Sequence, residues 1–213
     1  MQDIMLPARS GHDPAAIAAH EAEVIGKPQR IEPLVESELN AESLQVILEI
    51  RQSIGASLDA PIPEYCLTLA KHPAILRCQM QMGTAVFRGV LPVRDRELAV
   101  LRIGWLLRAP YEWGEHIDIS KRNGVAPEEI EKVTIGSSAP GWSAHDKAII
   151  KAVEEMLSQQ SISDETWGML ATSWNEQQLI EFTMMAGQYV AIALAQNALR
   201  IRLEPKNLGL THR

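Results

Sequence analysis

The sequence predicts an all-α protein. Apolar residues recur at intervals of three and four over most of the 213 residues, as they do on the buried face of a helix. No segment alternates polar and apolar residues for long, and no Asn-Gly turn joins two β-branched runs, so no sheet is expected. Because no linker rich in glycine or serine divides the chain, we predict one domain over residues 1–213.

The N-terminal part is predicted to contain four helices that follow a loose leader over residues 1–11. Asp13 and Pro14 are typical of a helix start, and this first helix is expected to expose His20, Glu21 and Glu23 on a solvated face. A connector over 27–41 follows, and then helices over 41–54, 64–71 and 73–87. Residues 30–90 form one possible helical layer, and residues 91–203 form the other.

The central stretch, residues 94–125, is predicted to form two helices separated at Ala109-Pro110. The second of these helices ends at Asn123-Gly124, a usual left-handed stop. Three helices follow over 127–135, 144–159 and 163–173, and a long apolar helix occupies 175–203. The polar tail from Pro205 is expected to fray.

Composition excludes several classes of function. The net charge is −7 and no basic stripe is present, so a nucleic-acid partner is not expected. The apolar runs are far shorter than the roughly 20 residues that span a bilayer, and no secretory signal is visible, so we expect a cytoplasmic protein that does not bind membranes. Cys66 and Cys78 lie twelve residues apart and are expected to be buried, unreactive thiols.

A carboxylate and an imidazole lie on one face of the second central helix. Glu112 and His116 are four residues apart, which places them about one turn from each other. Glu97 would join them if the two central helices form a hairpin. Such a group can transfer protons near neutral pH. Two other interpretations stay open: an intrahelical ion pair with no catalytic role, or an iron or manganese site.

The central stretch resembles the carboxymuconolactone decarboxylase family, which includes the alkylhydroperoxidase D enzymes. The resemblance covers about residues 90–200. It implies an all-helical, alkylhydroperoxidase D-like bundle with an N-terminal helical extension, and assembly into trimers or hexamers. The motifs that carry it are Arg94-Asp-Arg-Glu97, Tyr111-Glu-Trp-x-x-His116, Gly124 and Glu128-Glu129-Ile130.

One departure from the family's redox branch decides the predicted chemistry. The redox branch has a glutamate, then a Cys-x-x-Cys motif, then a histidine four residues after the second cysteine. Its glutamate and histidine correspond to Glu97 and His116, whereas its two cysteines correspond to Ala109 and Glu112. Thiol peroxidase activity needs a thiolate, so it is the less favoured alternative, together with a non-catalytic binding protein. The decarboxylase branch has a Glu four residues before the His, as Glu112 is here. The resemblance therefore implies a carboxy-lyase of aromatic-compound catabolism.

We predict acid–base decarboxylation or isomerisation of a small unsaturated lactone or keto acid, without a cofactor or a metal. In this hypothesis His116 is the acid and base, and Glu112 orients the imidazole and raises its basicity. Glu97 is a second acid and base, or a partner of His116. These three residues are the predicted catalytic group.

The remaining predicted site residues would bind the substrate. Arg94, Arg96 and Arg102 are the cations near the motif, and Arg102 is preferred because it shares a helix face with Trp105. Trp105, Tyr111 and Trp113 could form the walls of an apolar pocket; tryptophans such as Trp105 and Trp113 more often belong to the core or to a subunit interface. The long apolar final helix also favours homo-oligomers.

Overall fold

The structure, a computed structural model, describes residues 13–55 and 57–213, and the side chains at positions 53 and 54 fall outside the description. The predicted leader over 1–11 lies outside the described residues. Within these residues the chain forms ten α-helices and two short 3₁₀ helices, without a strand. The predicted all-α class is confirmed.

The α-helices agree with the predicted segments to within a few residues at each end. The two 3₁₀ helices, Glu36–Glu38 and Gly209–Thr211, were not predicted. The α-helices are α1 (Pro14–Val24), α2 (Ala41–Ile54), α3 (Glu64–Leu69), α4 (Pro73–Phe87), α5 (Val93–Leu106), α6 (Pro110–Arg122), α7 (Pro127–Ile135), α8 (Ala144–Gln159), α9 (Asp164–Ala171) and α10 (Glu176–Leu199).

Capping side chains explain why several of these helices begin where they do. An N-cap side chain accepts a hydrogen bond from a backbone N–H of the first turn, which would otherwise have no partner. Within the described residues five polar N-caps have this bond, and the predicted Asp13 is among them: Asp13, Asn40, Ser143, Ser163 and Asn175.

Helix α5 is the centre of the fold. Every residue from Asp95 to Trp105 is buried, and α5 packs against α6, α7, α8 and α10. Its apolar side chains, including Leu98 and Leu101, belong to the largest hydrophobic cluster, which also contains Phe182 and Met185 of α10. A polar side chain on α5 must therefore find its partner inside the protein.

A tight turn folds α6 back against α5. Arg108 has a left-handed φ of 49°, and the Ala109 N–H donates to the Gly104 carbonyl over 2.8 Å. The two helices are close together here, since a Cβ at Gly104 would be in van der Waals contact with the Trp113 backbone nitrogen at 3.4 Å. The predicted hairpin is thus present, and it brings the start of α5 beside the middle of α6.

The N-terminal helices have a smaller hydrophobic cluster of their own, formed by α2, α3 and α4 around Val46, Ile47 and Leu76. A third cluster joins α3 to the central hairpin, where the rings of Tyr65 and Tyr111 lie 6.5 Å apart between centroids. The assignment of residues 1–213 to one domain stays a prediction.

The predicted frayed tail is wrong. Leu210 is buried, and the indole N–H of Trp113 donates to the His212 carbonyl over 3.0 Å. The Leu210 N–H donates to the Glu21 carboxylate, and the His20 ring bonds to the Arg108 carbonyl. The tail and α1 thus cover each other, so the predicted solvated face is wrong for His20 and Glu21, whereas Glu23 is exposed. These contacts are far apart in sequence, which local polarity does not reveal.

Helix α10 is long and apolar enough to cross a membrane by length and composition, with a mean hydropathy of 1.2 over its most apolar window. Such a composition is also found in the core helices of soluble proteins. Leu179, Phe182 and Met185 of α10 pack into the main hydrophobic cluster, so part of this helix belongs to the core of the helical bundle.

Candidate active site

His116 is held between two carboxylates. Its Nδ1 lies 2.7 Å from Glu97 Oε2, and its Nε2 lies 3.1 Å from Glu112 Oε1. The side chains are 12% exposed for His116, 0% for Glu97 and 5% for Glu112. The structure therefore brings all three predicted catalytic residues together, with the shorter and more buried contact made by Glu97.

A fourth charged group, Arg96, completes this cluster. Its Nε donates to Glu97 Oε1 over 3.1 Å, and one terminal nitrogen donates to the Val86 carbonyl over 3.3 Å. Arg96 is only 7% exposed. With both carboxylates ionised and His116 protonated, the formal charges of the four side chains cancel, so their mutual attraction offsets part of the desolvation cost.

The carboxylates determine the protonation of the imidazole. Burial opposes the charged form, but the negative charge of Glu97 and the hydrogen bonds to both glutamates raise the pKa of His116 well above its ordinary 6.5. Burial would raise the pKa of Glu97, yet His116 and Arg96 together lower it below its ordinary 4.5. At neutral pH the free protein thus holds an imidazolium beside an ionised Glu97.

Tyr189 of α10 packs directly on the imidazole. The two ring centroids lie 5.2 Å apart and the planes are nearly perpendicular, at 86°. Burial, more than its charged neighbours, raises the pKa of Tyr189 above its ordinary value, so the phenol is neutral at physiological pH. The sequence analysis missed Tyr189 because it lies 73 residues after His116, with no local signal linking the two.

Access to this cluster is narrow. Two pockets of about 380 Å³ flank the hairpin, and His116 contributes to neither lining. One lies between α6 and the tail, against Glu115 and Asn207. The other lies between α1 and the tail, against Trp105 and Arg213. Only about an eighth of the His116 side chain is exposed, so only a small part of it is accessible to a ligand.

Arg102 is placed elsewhere than predicted. Its guanidinium donates to the Val133 and Thr134 carbonyls at the end of α7 and pairs with Glu154 of α8 over 2.7 Å. Five residues separate Arg102 from Glu97 on α5, which points the two side chains to different sides of the helix. The cation that contacts the catalytic cluster is Arg96.

The predicted aromatic wall also serves the core. Trp113 is fully buried and its ring centroid lies 4.9 Å from that of Trp105. The Arg213 guanidinium covers both rings. The Tyr111 hydroxyl donates to Glu204 Oε1 over 2.9 Å. Only Trp105 lines a described pocket, and that pocket does not include His116, so these three residues join the hairpin to the tail.

The geometry is unlike that of a metal centre. No group of three or more His, Cys, Asp or Glu side chains within residues 13–55 and 57–213 is arranged to hold a metal ion. Glu97 and Glu112 bind opposite nitrogens of the ring, so the three side chains do not converge on one point as the ligands of a metal must.

The two thiols differ from each other. Cys66 is partly buried, and burial raises its pKa to about 12. Cys78 is exposed on α4, which contradicts the prediction that both are buried. Both are free cysteines, and neither contacts His116 in the described structure.

The fold is that of an all-helical bundle similar to structures of the alkylhydroperoxidase D-like class. Within that class, the model of the carboxymuconolactone decarboxylase family matches residues 73–155. The resemblance inferred from the sequence is thereby confirmed, with different bounds: the match begins at α4, inside the predicted extension, and ends in α8. It includes Glu97, Glu112 and His116. Among curated proteins no match was found.

Solved structures agree on the fold. A protein of unknown function from Agrobacterium tumefaciens, suggested to be an antioxidant defence protein AhpD, has a TM-score of 0.59 at 14% identity and covers 64% of this chain and 94% of its own. The debrominase Bmp8 without ligand has a TM-score of 0.67 at 14% identity, with 84% of this chain and 95% of its own covered. A Cys-to-Ala variant of Bmp8 in complex with 2,3,4-tribromopyrrole has a TM-score of 0.68 at 14% identity and covers 84% of this chain and 94% of its own.

Proposed function

We propose that this protein is an acid–base enzyme that decarboxylates or isomerises a small unsaturated lactone or keto acid. The observation that carries the proposal is an imidazole bound at both ring nitrogens by buried carboxylates, within the segment that matches the decarboxylase family. Such a buried charged group is costly to maintain, and perturbed titratable groups of this kind are concentrated at functional sites.

His116 begins the reaction as a proton donor in this proposal. Its raised pKa means that the imidazolium is the resting form at neutral pH. Glu97 keeps the shorter contact and fixes the orientation of the ring. Glu112 makes the longer contact, at 3.1 Å, and it is the partner that a substrate displaces from Nε2.

The proposed decarboxylation needs no external electron acceptor. The bond between the substrate and its carboxylate breaks, carbon dioxide leaves, and the electron pair moves onto the conjugated carbonyl as an enolate. His116 then transfers its proton to the enolate carbon, and the neutral imidazole regains a proton from solvent. Isomerisation uses the same groups, with a proton removed from one carbon and returned to another.

Arg96 is the cation that we assign to the substrate's negative charge. It is buried beside Glu97, and its planar guanidinium offers donors in a geometry that suits a carboxylate. The substrate must be small, because the exposed part of His116 is small. This assignment replaces the one made to Arg102.

A thiol peroxidase is less well supported. The burial that raises the pKa of Cys66 to about 12 leaves almost no thiolate at neutral pH. Cys78 is exposed and lies twelve residues away in sequence, on a different helix from Cys66.

We also propose a cytoplasmic homo-oligomer, a trimer or hexamer, that assembles through α10. Ile180, Met184 and Leu194 are each more than half exposed. Together with the exposed small residues Gly187 and Ala191 they follow the alternating three- and four-residue spacing of a helix-packing seam. A second copy of the same seam is the occupant that we infer. A monomer in light scattering would contradict this.

The central test compares three variants on a panel of carboxylated butenolides and oxaloacetate. His116→Asn and Glu112→Gln should lower kcat/KM by about 10²–10⁴-fold, the usual effect of losing an acid–base group. His145→Asn is the matched control, because His145 also pairs with a carboxylate, Asp95, outside the proposed site, and it should stay within about threefold of the wild type. Unchanged rates for His116→Asn would refute the proposal.

A further inference from the structure

The Glu97–His116–Glu112 group contains carboxylates and a proton donor, but an enolate also needs a hydrogen-bond donor at its oxygen. The chain has three tyrosines as candidate donors. The Tyr111 hydroxyl is already used as a hydrogen-bond donor, since it donates to Glu204. The other two, Tyr65 and Tyr189, come from α3 and α10.

The Tyr189 hydroxyl is available for a ligand. Among the described residues it has no hydrogen-bond partner, and its oxygen is not one of the buried polar atoms that lack a partner. A phenol oxygen that is neither bonded nor sealed within the protein is able to bond to water or to a bound molecule. The partly buried ring is held in place by its contact with His116.

Chemical geometry favours Tyr189 over Tyr65. In an enolate, the charged oxygen and the carbon that accepts the proton are separated by one carbon atom, so their donors must be neighbours. Tyr189 packs against His116, the proton donor, with centroids 5.2 Å apart. The ring of Tyr65 instead packs against Tyr111, in the cluster that joins α3 to the hairpin.

We propose that Tyr189 is a further catalytic residue, whose hydroxyl donates a hydrogen bond to the substrate oxygen that becomes negative as carbon dioxide leaves. This proposal rests on the function proposed above. A donor that is positioned before the reaction stabilises the charge as it develops and so lowers the barrier to carbon–carbon bond cleavage. The raised pKa of Tyr189 is consistent with a hydroxyl that keeps its proton.

The test measures ligand binding as well as activity, so that part of it does not depend on turnover. Oxalate, a planar mimic of an enolate, is titrated by calorimetry into the wild type, Tyr189→Phe, Tyr65→Phe and Tyr111→Phe. Tyr189→Phe should weaken oxalate binding about tenfold and lower kcat, more than it raises KM, by about 10²-fold. Tyr111→Phe is the matched control, with unchanged oxalate affinity; thermal unfolding shows which variants remain folded.

The outcomes separate the two proposals. Wild-type protein that does not bind oxalate, equal binding by Tyr189→Phe, or a loss confined to Tyr65→Phe would each overturn the role of Tyr189. If oxalate binding depends on Tyr189 while no panel compound turns over, the proposed reaction fails and the hydrogen-bond donor stands. If turnover is present and Tyr189→Phe matches the wild type in kcat, the reaction stands and the role of Tyr189 fails.

Discussion

Two carboxylates near the start of α5 each pair with a histidine, and the surroundings of the two histidines differ. Glu97 pairs with His116 and with Arg96, whereas Arg94 and Asp95 point to α8, where Asp95 pairs with His145 over 2.8 Å. Both histidine rings have an edge contact with an aromatic ring, Tyr189 at 5.2 Å and Trp174 at 5.3 Å. The motif Arg94-Asp-Arg-Glu97 therefore contains two carboxylates, Asp95 and Glu97, and each of them pairs with a histidine on a different helix.

The difference lies in what the second ring nitrogen meets. In His116 it meets another carboxylate, Glu112; in His145 the Nδ1 atom is buried without a partner among the described residues. The His145 side chain is also more exposed, at 26% against 12%. A charged ring between two carboxylates suits proton transfer, while a ring with one carboxylate at a helix start suits a structural contact. Paired substitutions can test this difference.

The largest expected effect is on stability. Glu97→Gln removes the carboxylate that His116 and Arg96 share inside the protein, and breaking a buried charged group costs about 3–5 kcal/mol. Asp95→Asn affects a more exposed pair and keeps an acceptor for the Trp174 indole, so about 1 kcal/mol is expected. Urea unfolding measures both. Equal losses would mean that the two histidine pairs do not differ energetically.

A second expected effect concerns substrate affinity. Arg96→Met removes the cation that we assign to the substrate carboxylate and should raise KM by about 10–100-fold, the range of one lost charged hydrogen bond. Arg94→Met removes a cation that is bound instead to Asp146 and Glu129, and KM should not change. Steady-state kinetics on the panel compound with the highest turnover separates the two. A change confined to Arg94→Met would reverse the assignment.

The smallest effect is the pH dependence of folding. The folded pKa of His116 is raised above 6.5, so its contribution is complete below that pH and is lost as the pH rises through the folded value. The slope from one such group is at most about 1.4 kcal/mol per pH unit. Unfolding free energies of the wild type and His116→Asn between pH 6 and pH 10 should converge at high pH. A constant difference would exclude a raised pKa.

Glu97 makes the free energy of unfolding depend on pH in the opposite direction, at acid pH. Its folded pKa is lowered below 4.5, so its stabilising contribution is present above that value and is lost as the pH falls through the folded pKa. The acid limb of the same unfolding profile should therefore flatten in Glu97→Gln. An unchanged acid limb would show that Glu97 is not held in its charged form.

Residues within one turn of each other were predicted well. The Glu112–His116 pair follows from helical spacing, and Glu97 follows from the break at Ala109-Pro110, which makes a hairpin. The placement of the predicted substrate residues could not be read from spacing alone, because nearby positions on a buried helix face different neighbours. Arg102 shares its helix with Glu97, yet it faces α7 and α8.

The sequence by itself determined the helical class, the helix starts and the spacing of a carboxylate and an imidazole, because capping, helical period and proline breaks are local effects. Only the tertiary structure decided that Arg96 pairs with Glu97 and Tyr189 packs on His116, that Arg102 lies elsewhere, and that the tail covers α1 and α6. Those contacts join residues far apart in the chain. They depend on how α5, α6 and α10 pack, which no short stretch of sequence encodes.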